Sequence, residues 1–220
     1  MCANSSSRWR TRRRRPAQIT SFELTSQKAS LPISEPKTVN GLECYVSVDV
    51  ETAGPNPSHY SLLSIGACLV IDPAREFYVE LQPVNDLSTD EALSISQLSL
   101  EDLAEQGLPP AEAMTRFADW LAGEVPPDQQ PVFVAFNAPF DWMFVSDYFH
   151  RFLGRNPFGH AALDLKALYM GRTNVPWSQT TMRYVAKRYL DGRPLTHNAL
   201  QDAKDQAELM QRILAEPTVP

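Results

Sequence analysis

The sequence has little cysteine: Cys2, Cys44 and Cys68 are an odd three with no C-x-x-C spacing. That argues against a disulfide scaffold or a thiolate zinc site, and a reducing compartment fits best. No apolar run approaches the roughly 20 residues needed to cross a bilayer, so no membrane association is expected. A secretory apolar segment is also missing, and together these absences give a cytoplasmic expectation. There is no internal repeat and no sign of a second folded domain. What remains is 220 residues at 43% hydrophobic and 21% charged, enough to bury one core without metals or disulfides as staples.

Cations are scarce in most of the chain. Residues 1–40 hold eight Lys or Arg, including Arg12–Arg15, against Glu23 and Glu35. The remainder carries twelve basic and twenty-four acidic residues. An acidic body binds long polyanions poorly, because phosphate affinity comes mainly from neutralising cations. If such a body acts on phosphates, a local cation must offset its charge, and a bound metal would do so.

Residues 1–40 are rich in Ser, Arg, Thr and Pro without a sustained apolar period, so they are expected to form a disordered tail. Its arginine cluster reads as an organellar transit peptide, as a tether for nucleic acid or an acidic partner, or as a solvated extension or a start codon placed too far upstream. The folded domain is expected over residues 41–216. Strands are predicted at Leu42–Val50, Leu62–Ile71 and Arg75–Leu81, with short turns that favour antiparallel pairing. Asp72-Pro73 is taken as the end of the second strand. After an irregular stretch, a helix over Ala111–Ala122 places Met114, Phe117, Ala118 and Leu121 on one face. A strand at Val132–Phe136, a helix to Leu153, a short strand at Ala162–Leu165 and three further helices follow, the last two near Thr181–Leu190 and Asn198–Leu214. This order predicts an α/β fold with a mixed five-stranded sheet, three antiparallel strands then parallel ones, and helices on both faces. It is the order of a ribonuclease H-like fold.

Three features carry chemistry. Asp49 and Glu51 are two apart on the first strand, so their carboxylates share a face with Ser47 while Val46, Val48 and Val50 supply the other. Two like charges ending a central strand would repel without a counter-ion, and divalent cations with oxygen ligands provide one. Asn137-Ala138-Pro139-Phe140-Asp141 follows the fourth strand; there Asn137 suits a turn or helix N-cap and Asp141 the first helical turn. At the last helix, His197-Asn198-Ala199-Leu200-Gln201-Asp202 places a histidine on the entering loop and an acid on the helix. Taken singly, these are a polar strand end, a helix cap and a surface histidine.

Together, in this order, they resemble the DEDDh family of 3′→5′ exonucleases, of the ribonuclease T, oligoribonuclease and polymerase-proofreading type. The similarity covers roughly residues 43–212. Leu63-Ser64-Ile65-Gly66-Ala67 and Asp202-Ala203 agree with it. The resemblance implies that Asp49, Glu51, Asp141 and Asp202 hold two divalent ions, Mg²⁺ or Mn²⁺, and that His197 is the general base for the attacking water. Thr52 would approach the 3′-terminal nucleotide, Asn137 would order the second motif, and Phe140 and Leu63 would wall the terminal sugar or base, though both suit the core equally. The implied partners are single-stranded nucleic acid 3′ ends. Homodimers are common among such relatives, but nothing in this sequence marks a dimer surface. The chemistry matches the parts: two metals about 3.5–4 Å apart bind attacking and leaving oxygens together, and a histidine can take the water proton near neutral pH.

Other residues carry blander expectations. Asp164 reads as an N-cap, and Trp142, Phe144, Tyr148 and Phe149 read as core. His59, His150 and His160 receive no role. Arg183, Lys187 and Arg188 are divided between substrate backbone and solvent. Where polymerase-type members carry I-x-G-[IL]-[ST], this chain has Ile95-Ser96-Gln97-Leu98-Ser99, with Gln97 in the glycine place, and the segment Gly54–Tyr60 is stiffened by proline. Two competing readings are a ribonuclease H-type endonuclease on RNA–DNA hybrids and a non-catalytic tether using the arginine tail.

Overall fold

The computed structural model describes residues 43–193 and 196–217; the expected tail at 1–40 lies outside them. Five strands, β1 (Glu43–Thr52), β2 (Leu62–Leu69), β3 (Asp72–Glu80), β4 (Gln130–Ala135) and β5 (Ala162–Asp164), form one sheet in the order β3-β2-β1-β4-β5. The β1–β2 and β2–β3 pairs are antiparallel, and β1–β4 and β4–β5 are parallel. This is the mixed sheet expected from the element order, with β1 at its centre. The parallel pairs require crossovers, which α3 (Pro110–Glu124) and α4 (Ala138–Leu153) supply. Beyond β5 come α5 (Leu165–Thr173), a 3₁₀ turn at Trp177–Gln179, α6 (Met182–Tyr189) and α7 (Ala199–Ala215). Among the described residues, no helix is long and apolar enough to cross a membrane.

Alternation along β1 sorts the two faces. Val46, Val48 and Val50 enter a core with Met114, Phe117, Phe144 and Phe149 under α3 and α4. Phe117 anchors it, stacking on Phe77 at 5.0 Å and on Phe149 at 5.5 Å between centroids; burying such a ring contributes roughly 2–3 kcal/mol. The opposite face is covered by α5, α6 and α7 through Cys68, Val134, Leu165, Val185, Leu209 and Ile213. Phe144, Tyr148 and Phe149 are core as expected, and the Tyr148 hydroxyl accepts the Leu62 N–H at 2.8 Å. Trp142 is only partly buried against this core.

Two expectations need correction. The stretch expected to be irregular contains α1 (Asp90–Ser96) and α2 (Leu100–Gln106), capped by Thr89 and Ser99, whose side chains accept the Ala92 and Asp102 N–H groups. Each helix has only seven residues, too short for an apolar period to show. Asp72-Pro73 opens β3 instead of closing β2, the turn falling one step earlier at Val70-Ile71; β3 is an edge strand, where proline forfeits no ladder bond. Asn137 stands in the turn and at the N-cap of α4, as expected; it is left-handed (φ 70°), and its side-chain Oδ1 accepts a hydrogen bond from Lys166 Nζ at 3.2 Å in place of a capping N–H.

Gln97 has the backbone of a glycine position. It is the left-handed C-cap of α1 (φ 57°), its N–H bonded to the Leu93 carbonyl. Glycine adopts that conformation without the Cβ penalty that glutamine bears.

Candidate active site

β1 ends in Asp49, Glu51 and Thr52, with the register against β2 shifting between Glu51 and Thr52. α7 crosses above this end. Gly66, opposite Asp49 on β2, makes the crossing possible: a Cβ there would lie 2.1 Å from the Ala199 carbonyl carbon and 2.2 Å from the Leu200 nitrogen. The first turn of α7 therefore rests directly on the strand backbone, and Asp202 in that same turn reaches the β1 acids. Carboxylate oxygens of Asp49, Glu51 and Asp202 all lie within 4.8 Å of one another. Asp141 stands in the first turn of α4, as expected, outside that group of three. It is buried, and its Oδ1 accepts the N–H of Val50, the residue between Asp49 and Glu51, at 3.2 Å.

The loop before α7 is bonded to Asp202 itself. Thr196 donates to Oδ1 through its N–H (2.8 Å) and Oγ1 (2.9 Å), and the His197 N–H donates to Oδ2 at 3.0 Å. His197 is thereby placed beside the acids, left-handed at φ 56° and exposed. Asn198 caps the helix, accepting the Gln201 N–H at 3.1 Å.

Two residues that the sequence reading missed complete this arrangement. Gln206, 1% exposed, accepts the Phe136 N–H through Oε1 at 2.9 Å and donates from Nε2 to Asp49 Oδ1 at 2.6 Å. A backbone N–H can only donate, so the amide orientation is set and its NH₂ must face Asp49. The signal was available: Gln206 is four residues after Asp202, on the same helical face. Arg193 pairs with the buried Asp205 at 3.0 Å, tying the loop before His197 to α7.

Burial and crowding hold Asp49, Glu51 and Asp141 protonated more tightly than usual. Desolvation, then the charges of Asp141, Asp202 and Glu51, push Asp49 well above the carboxylate range, against the Gln206 hydrogen bond. Desolvation and the Asp202 charge push Glu51 up to about 8. Asp141 also rises to about 8, by burial outweighing the N–H donors of its own backbone and Val50, with Glu51 and Asp164 adding to the rise. Among the described residues, no Lys or Arg pairs with any of the four acids. An all-oxygen set of clustered carboxylates without a counter-charge fits hard divalent cations.

Beside the acids opens a cavity of about 460 Å³, lined by Val50, Glu51, Thr52, Gly54, Pro55, Thr89, Glu91, Ala92, Ile95 and Phe140. Thr52 lines it but donates its hydroxyl to the Gly54 carbonyl at 2.9 Å, so it holds the wall of the proline-rich loop. Leu63 does not line it: that side chain is fully buried with Ala53 and Leu103 under α1 and α2. Of the two apolar candidates, Phe140 faces the cavity and Leu63 is core. Asp164 caps α5, accepting the Ala167 N–H at 2.7 Å, and its other oxygen accepts the Ala138 N–H at 2.8 Å, fixing the start of α4. His59, His150 and His160 are exposed, and Arg188 pairs with Glu216 at 2.9 Å.

Carboxylates converging at the end of the central strand of a ribonuclease H-like sheet, beside a nucleotide-sized cavity, define a nuclease. Residues 46–210 match the exonuclease family model, and the chain belongs to that family, as the DEDDh resemblance of its motifs implied. It is 46% identical over 171 residues to the 3′-5′ DNA exonuclease Cap18 of Escherichia coli, covering 78% of this chain and 91% of that one. The fold resembles the nuclease domain of 3′hExo, a DEDDh family member bound to rAMP (TM-score 0.65, 17% identity, 81% of this chain and 95% of that one). It also resembles E. coli exonuclease I in complex with a dT13 oligonucleotide (TM-score 0.61, 16% identity, 80% and 41%).

Proposed function

We propose that this enzyme removes nucleoside 5′-monophosphates from the 3′ ends of single-stranded nucleic acid, DNA before RNA, using two divalent cations held by Asp49, Glu51, Asp141 and Asp202. The observation that carries the reading is the three-carboxylate cluster whose Glu51 also lines the cavity at the same strand end. The relatives are exonucleases, which favours neither the hybrid-cutting endonuclease nor the tether, and the DNA preference rests on the substrate of the 46% identical relative. A cytoplasmic location belongs to the same reading, supported by the free thiols of Cys44 and Cys68.

When bound, Mg²⁺ or Mn²⁺ would neutralise the phosphate and activate the attacking water. The protein's own groups do the rest. Val50, Ile95 and Phe140 give the terminal nucleoside apolar walls, and Thr52 keeps the Gly54 turn in place behind it. Water adds to phosphorus, the bond to the preceding O3′ breaks, and that oxygen leaves with a proton as the new 3′ end. His197, exposed on its loop, takes the water proton and passes it to solvent. Gln206 holds the Asp49 carboxylate in one orientation throughout.

A time course on 5′-labelled DNA and RNA oligonucleotides tests this. A ladder shortening from the 3′ end is expected, absent in EDTA and slowed by about 10²- to 10⁴-fold in His197→Ala. Internal cuts on an RNA–DNA hybrid would reverse the assignment.

Metal and pH are linked with a definite sign. Without cations, Glu51 and Asp141 (both raised to about 8) bind protons when folded that they release when unfolded. Stability of the metal-free protein therefore falls as pH rises from the ordinary carboxylate range towards 8. Cations displace those protons, so the Tm gain on adding Mg²⁺ or Mn²⁺ should be larger at about pH 8 than at about pH 6. Thermal melts with and without EDTA check it; a gain independent of pH would place the cation elsewhere.

A further inference from the structure

On the far side of the acids from the cavity, the surface changes character. The cavity lies against α1, which packs on β1, whereas β5 and α5 lie beyond β4. At the start of α5, Lys166 donates to Asn137 Oδ1 at 3.2 Å, four residues before Asp141 in the chain. The same ammonium sits 4.4 Å from the ring centroid of Trp177, on the 3₁₀ turn after α5. Trp177 is 54% exposed, the largest aromatic among the exposed apolar side chains of the described residues. Among the described residues Lys166 joins no ion pair, in a body where acids outnumber bases two to one.

We propose that Lys166 and Trp177 form the platform for the strand upstream of the scissile bond, the lysine meeting a phosphate and the indole stacking a base. This rests on the exonuclease reading above and extends it to the occupant of this surface: single-stranded nucleic acid running away from the cavity. Topology supplies the direction. With the terminal nucleoside in the cavity and its 5′-phosphate over the acids, the chain continues across Asn137 towards β5 and the 3₁₀ turn. The ammonium lies close to the indole, as a phosphate and its neighbouring base do in an extended strand. A base has a π-face whatever its sequence, so stacking on Trp177 adds affinity without sequence preference, and the Lys166 charge makes that affinity salt-dependent.

The platform predicts a dependence on substrate length. Wild type and Trp177→Ala are compared on two substrates: a single-stranded DNA oligonucleotide of about 12 nucleotides and the p-nitrophenyl ester of thymidine 5′-monophosphate, which has no upstream nucleotide. The loss in kcat/KM on the oligonucleotide should exceed that on the ester by about tenfold, carried by KM, with Trp177→Phe restoring most of it. Lys166→Gln should flatten the salt dependence of KM on the oligonucleotide. Equal losses on both substrates, or no loss on either, overturn the platform while leaving the exonuclease reading standing. A wild-type enzyme that hydrolyses neither substrate overturns that reading, and the platform with it. The Tm of each variant, expected to match wild type at this exposed position, confirms that the comparison is between folded enzymes.

Discussion

Replacing Asp49 with asparagine should abolish nuclease activity by about a thousandfold or more, equivalent to at least ~4 kcal/mol of transition-state stabilisation, while making the metal-free protein more stable. The two effects have one cause. Asp49, Glu51 and Asp202 bring their carboxylates within 4.8 Å of one another, and burial with mutual repulsion pushes Asp49 far above its ordinary pKa. Asparagine is neutral in both folded and unfolded chains, so folding no longer has to protonate a carboxylate at this place, and the asparagine oxygen still accepts the Gln206 amide that now meets Asp49 Oδ1 at 2.6 Å. Melting curves in EDTA should show a higher Tm for Asp49→Asn than for wild type, and added Mg²⁺ should raise it less. A residue that served only the fold would behave oppositely, losing stability along with activity. A variant that kept its activity would dissociate the acid cluster from the chemistry.

The acids were legible because each belongs to a short local pattern whose geometry follows from one secondary-structure element. Two residues apart on a strand share a face, and an acid four residues after Asn137 falls in the first turn of α4. The sheet order was legible for a similar reason, since short turns and long crossovers leave few ways to pair five strands. What escaped lies between elements. Gln206 looks like a polar residue on an amphipathic helix until Phe136 and Asp49 are seen on either side of it. Leu63 and Phe140 are both apolar residues near the acids in sequence, yet the break in register after Glu51 precedes a segment in which Leu63 packs beneath α1 and α2 while Phe140 faces the cavity. Asn137 takes the cap position that its pattern assigns, but the partner of its side chain, Lys166, comes from α5 and is invisible in that pattern. The two seven-residue helices, of which α1 walls the cavity, are made by their caps, Thr89 and Ser99, more than by any apolar period.

Gly66 shows how much of the site hangs on a residue without a side chain. Adding one methyl, as Gly66→Ala, should cost about a hundredfold in activity and roughly 1–3 kcal/mol in stability. Its Cβ would meet the Ala199 carbonyl carbon at 2.1 Å and carbonyl oxygen at 2.3 Å, where carbon–carbon contact is optimal near about 3.5–4.0 Å. These are backbone atoms, so no rotamer relieves the clash and the first turn of α7 must move by about an ångström. Asp202 lies in that first turn and Gln206 one turn on, so both leave Asp49 together, and the loop bonded to Asp202 carries His197 with them. Gly123→Ala is the matched control. It lies near the end of α3 with no atom within 4 Å of its added Cβ, so it should gain up to about 1 kcal/mol of stability from helix propensity and keep its activity. Activity and urea melts of both variants, read at saturating Mg²⁺, separate the site effect from unfolding. Truncating Ala199 to glycine in the Gly66→Ala background should rescue nothing, because the clash is with the main chain. Full rescue would mean that α7 is seated by its side chains, and that the close backbone contact is not what holds Asp202 against β1.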